Sequence, residues 1–117
     1  MARKIDTADG RAAIGAVQQG SAARADTATA VRYLLQLLEE RAPGRSVEVR
    51  VPPFGAVQVI QGPTHTRGTP PNVVEMDPTT WVALATGDLA WSEAMNAGRI
   101  AASGTRADIA ALIPVRW

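Results

Sequence analysis

The sequence predicts an α+β fold in which amphipathic helices lie on a sheet. Three observations lead there. Val31, Leu34, Leu35 and Leu38 recur at helical spacing, and Val47, Val49 and Val51 alternate with Glu48 and Arg50 soon afterwards. Asp77-Pro78 then opens a second helical region, after further valine-rich runs. A chain of 117 residues with no repeat and no linker fits one domain over residues 1–117.

Taken in order, residues 6–19 (DTADGRAAIGAVQQ) predict a short helix whose Ala12, Ala13, Ala16 and Val17 can share a face. Gly10 and Gly15 weaken it, each by up to about 1 kcal/mol against Ala. The next helix has Asp26 or Thr27 as its cap, one buried stripe, and a stop at Pro43-Gly44. Such a stripe needs a sheet to lie on. Val47–Val51 and Ala56–Ile60 supply it, and their short connection through Pro52-Pro53-Phe54-Gly55 predicts an antiparallel hairpin. Residues 62–71 (GPTHTRGTPP) predict a loop, and Val73–Met76 a third strand.

Asp77 accepts at an N-cap and Pro78 suits the first helical turn, so a helix carrying Trp81, Leu84 and Ala85 follows, ending at Gly87. Asp88 is expected to cap a further short helix with Leu89, Trp91, Ala94 and Met95. Arg99–Ser103 predicts a fourth strand. Thr105-x-x-Asp108 resembles a capping box and predicts a last helix with Ile109 and Leu112, ended by Pro114.

Composition narrows the chemistry. Without cysteine there is no disulfide, thiolate nucleophile or thiolate metal site. A net charge of +1 with interspersed signs gives nucleic-acid binding no electrostatic footing. His65 is the sole histidine and sits in a loop, which leaves no multi-histidine metal site and no partner set for a serine nucleophile. Glu39-Glu40 belongs to a polar helix face, and Asp77 is explained by capping. The positive start Arg3-Lys4 runs into Asp6 and Asp9 instead of an apolar stretch, and no run approaches the roughly 20 apolar residues of a bilayer span. The expected location is cytoplasmic, with at most transient membrane contact.

Residues 77–114 (DPTTWVALATGDLAWSEAMNAGRIAASGTRADIAALIP) resemble the C-terminal half of sterol carrier protein domains. That half has a helix ending in L-x-x-G, a helix reaching G-[KR]-[IL], a strand, then Gly and a final helix. Leu84-Ala85-Thr86-Gly87, Gly98-Arg99-Ile100 and Gly104 stand in those places. The resemblance runs over roughly residues 25–114 and is to the compact bacterial version of the family. It implies an antiparallel sheet with helices packed on one side and an apolar tunnel between the layers. It also implies binding or transfer of sterols, fatty acyl chains or other lipids, with no cofactor and no catalytic residues.

The residues expected to wall such a tunnel are Val49, Val57, Val59, Val74, Met76, Trp81, Leu84, Leu89, Trp91 and Met95. Each serves equally well as plain core. The floor would be the valine hairpin, and the two short helices a lid that opens locally. Arg67 or Arg99 could face an anionic head group. The alternative is a protein-interaction or accessory module with a filled core, for which Trp117, beyond Pro114, is the first candidate contact. Vacant apolar volume between the layers separates the two readings.

Overall fold

The computed structural model describes residues 4–63 and 71–117. Its elements are α1 (Thr7–Gln18), α2 (Arg24–Arg41), β1 (Pro43–Val51), β2 (Gly55–Val59), β3 (Asn72–Met76), α3 (Pro78–Thr86), α4 (Trp91–Asn96) and β4 (Ile100–Ser103), followed by one 3-10 turn (Ala110–Leu112). His65 and Arg67 lie outside the described residues.

The sheet is mixed, which corrects the expected antiparallel arrangement. Strand order is β2-β1-β3-β4; β1 and β3 run parallel, while β1–β2 and β3–β4 are antiparallel. In an antiparallel meander β3 would lie beside β2. Instead the chain steps over β1, a width of about 10 Å at ordinary strand spacing. The burial pattern supplies the reason: Val47, Val49 and Val51 of β1 are fully buried, as a central strand requires, whereas Val57 of β2 is only half-buried. One sheet face carries Val47, Val49, Val51, Val59, Val74 and Met76 towards the helices. The other presents Arg50, Ala56, Glu75 and Ala101 to solvent.

The α2 stripe of Val31, Leu34, Leu35 and Leu38 is buried as expected. The helix buries a second flank as well, because Ala30 and Tyr33 are also enclosed. A Cβ on Gly10 of α1 would lie 2.3 Å from the Tyr33 ring, so only glycine allows the two helices this approach. Neither Asp26 nor Thr27 caps α2, which begins at Arg24. Ser21 Oγ donates to Asp26 Oδ2 at 2.7 Å and accepts from the Ala23 N–H at 3.3 Å, organising the preceding bend.

At the base of the hairpin Gly44 meets Ile60: a Cβ there would lie 2.0 Å from the Ile60 carbonyl carbon. Ile60 itself has φ 67°, a left-handed conformation costing a branched residue about 1–2 kcal/mol. Its N–H donates to Ala42 O at 2.7 Å, and its carbonyl accepts from Ser46 N and Ser46 Oγ. Those bonds hold it there.

Asp77 caps α3 as expected, accepting from the Thr80 N–H at 2.8 Å, and Pro78 opens the helix. Trp81 crosses to α2, where its Nε1–H donates to Val31 O at 3.3 Å. Two later expectations need correction. Asp88 does not cap α4, which starts at Trp91 behind Ala90, so Leu89 precedes the helix. The last helix is a single 3-10 turn in which Asp108 Oδ1 accepts from the Ala110 N–H; Pro114 disfavours helical geometry at Ile113 and leaves no room for a second turn.

Candidate ligand-binding site

The ten residues expected to wall a tunnel fall into two groups. Val49, Val59, Val74 and Trp81 have no exposed surface, and Met76 and Leu84 have almost none; all six belong to one core cluster. A void wide enough for water would leave accessible area on its walls. These four side chains have none, so the interior beside them is filled by the protein's own groups. Val57, Leu89 and Trp91 are half-buried against that core, and Met95 is 41% exposed on α4.

Room lies at the margins. A groove of about 370 Å³ runs where α2 meets the free edge of β2, walled by Ile5, Leu35, Phe54, Gly55, Ala56 and Val57. Its upper rim is the α2 series Arg32, Gln36, Glu39 and Glu40, with Lys4 opposite. Local bonds shape it. Gln36 exchanges a pair of hydrogen bonds with the backbone of Ile5, both 2.9 Å, so a side-chain amide holds that segment as a strand neighbour would. At the hairpin end Arg32 Nε–H donates to Phe54 O at 2.8 Å, and the Arg24 guanidinium lies 5.0 Å from the Phe54 ring centroid. Lys4 and Glu40 form an exposed ion pair at 3.2 Å across the other end.

A second groove, about 400 Å³, gathers Leu84, Leu89 and Trp91 with Ala110, Ile113 and Pro114 of the C-terminal segment. Asp88 and Glu93 also line it. Three of the expected residues therefore meet here, one lies in the first groove, and five (Val49, Val59, Val74, Met76 and Trp81) belong to the filled interior. Met95 lines neither groove.

The remaining candidates settle quickly. Arg99 Nε–H donates to Thr80 Oγ1 at 3.0 Å, fastening β4 to α3. Trp117 folds back on the core, and its carbonyl accepts a hydrogen bond from Arg11 of α1. Among the described residues no three His, Asp or Glu side chains are grouped to hold a metal ion, and no helix is long and apolar enough to cross a membrane.

Ile5, Leu35 and Phe54 are the groove residues that sequence reasoning missed. Leu35 hid within the core stripe, and Ile5 in a polar N-terminal run. Phe54 did carry a signal, since it is a large apolar side chain in a tight Pro-Pro turn, where small polar residues are usual.

No curated protein is similar enough to this chain to count as a match. The chain does match a family over residues 23–115, from the bend before α2 to Val115, which takes in every strand and three of the four helices. It belongs to the bacterial SCP orthologs, a branch of the sterol carrier protein family.

Proposed function

We propose that the chain binds or transfers an apolar ligand without chemistry, and that the ligand lies in the groove between α2 and β2. The observation that carries this reading is the groove's lining. Leu35, Phe54, Val57 and Ile5 offer a mostly aliphatic wall beside the family's helix-on-sheet layers, within a volume ordinary for small-molecule sites. Family membership supports lipid binding in general terms. A ligand covering about 300 Å² of apolar surface gains several kcal/mol, at about 25 cal/mol per Å², before the costs of association. Val57 pairs directly with Val49, so a bulky ligand would reach further only by parting β2 from α2.

The test is a titration of delipidated protein with a fluorescent fatty acid. Saturable binding is expected, weakened about tenfold or more in Val57→Glu, where a charge replaces aliphatic wall. The absence of saturable signal in the unaltered protein would overturn the reading.

One observation favours a second reading. The absence of accessible surface at Val49, Val59, Val74 and Trp81 suits an interaction or accessory module whose interior takes no cargo. Native mass spectrometry of the purified chain separates the two: retained lipid supports the carrier, a stoichiometric protein partner the module.

A further inference from the structure

The groove has an electrically uneven rim. Arg32 lines the hairpin end and Arg24 lies beside it over the Phe54 ring, neither within ion-pair distance of a described carboxylate. Glu39 and Glu40 stand at the other end, Glu40 paired with Lys4 and about 12 Å further along α2 from Arg32 at 1.5 Å per residue. The carboxylate within a turn of Arg24, Asp26, is turned to Ser21 Oγ. Arg50 is paired with Glu48 on the opposite sheet face. Beside these two guanidinium groups, both in contact with Phe54, the chain presents Pro52 and Pro53, both exposed, and then half-buried Phe54 itself. Three apolar residues at a tip and two unpaired cations beside them is the composition of a surface that meets anionic headgroups. The cations lie at phosphate level and the tip reaches the acyl boundary.

We infer that the Pro52–Phe54 hairpin tip, flanked by Arg24 and Arg32, docks this protein on an anionic lipid bilayer and presents the α2–β2 groove to it. The inference rests on the apolar-ligand reading of that groove. The far end, with Glu39 and the Lys4–Glu40 pair, faces away from the bilayer in this pose. Phe54 is shared by tip and groove, which makes the docked groove continuous with the membrane. Two arginines and a small tip give reversible attachment, screened by salt.

The experiment is flotation of the full chain with pure phosphatidylcholine vesicles and with equimolar phosphatidylcholine–phosphatidylglycerol vesicles. Binding is expected to the second only, and to fade as salt rises. The double variant Arg24→Glu/Arg32→Glu should lose about tenfold or more of that binding. Arg41→Glu/Arg45→Glu carries the same net charge where α2 ends and β1 begins, away from the tip, and should bind nearly as the unaltered chain does. Because Arg32 also bonds Phe54 O, Arg24→Gln alone serves where the double variant melts early; a partial loss is expected from it. Equal binding to both vesicle types, or equal loss in both double variants, overturns the inference. Fluorescent fatty acid binding is measured in parallel, without vesicles. Charge reversal that spares vesicle binding but abolishes ligand binding assigns the arginines to a ligand head group and also overturns it. Vesicle docking without any ligand binding sinks the carrier reading and leaves the docking surface standing.

Discussion

Val49 and Val57 are partners across β1 and β2 and point to the same side of the sheet, yet one is sealed and the other borders open space. The difference lies in neighbours. Val49 has a strand on either hand, β2 and β3, while α2 lies over both β1 and β2. Val57 has β1 on one side only. An identical side chain thus becomes core or binding wall according to what covers it, since Val59, on the same edge strand as Val57, is sealed. In this molecule apolar capacity for anything other than the protein itself sits at the edge of the layers.

That contrast can be broken by substitution. Trp81→Ala should have the largest effect, a loss of about 3–5 kcal/mol in urea unfolding, since it empties a fully buried site and removes the link to Val31. A loss under about 1 kcal/mol would mean that the interior is not close-packed after all. Gly10→Ala comes next. Its methyl would meet the Tyr33 ring at 2.3 Å, and about 1–3 kcal/mol should be lost as α1 and α2 move apart. Thermal melting checks it, and an unchanged midpoint would show that the seam yields freely. Val57→Ala should cost least, about 1 kcal/mol or less, because the methyls removed are only half covered. A cost equal to that of a central valine would place Val57 in the core and deny the groove its wall.

Much of this architecture could be read from residue order. The α2 stripe, the alternating valines of β1 and the Asp77-Pro78 helix start are local patterns whose physics is complete within a few residues. Strand order was not legible, because nothing in Val73–Met76 says whether its free edge meets β1 or β2. That choice depends on which strand has more surface to bury. The second buried flank of α2 was hidden because its partner on α1 is Gly10, whose contribution is a missing side chain. The final helix was over-read from Thr105 and Asp108, since Pro114 follows too closely for a second turn. Of the candidate site, the apolar residues were found but not their division into wall and filling. Burial depends on what lies opposite, and Ile5 and Phe54 come from segments with no periodic signal at all.

The contact between Gly44 and Ile60 has a consequence for how the hairpin can misassemble. Sliding β1 by one place would bring Pro43 or Arg45 against the Ile60 carbonyl, where no Cβ fits. The same slide would turn every valine of β1 to the wrong side. Main chain meeting main chain therefore acts as a mechanical stop, fixing the alignment of the two strands independently of their turn. Changes at the Pro-Pro-Phe tip can then be tolerated without the inward valines losing their places.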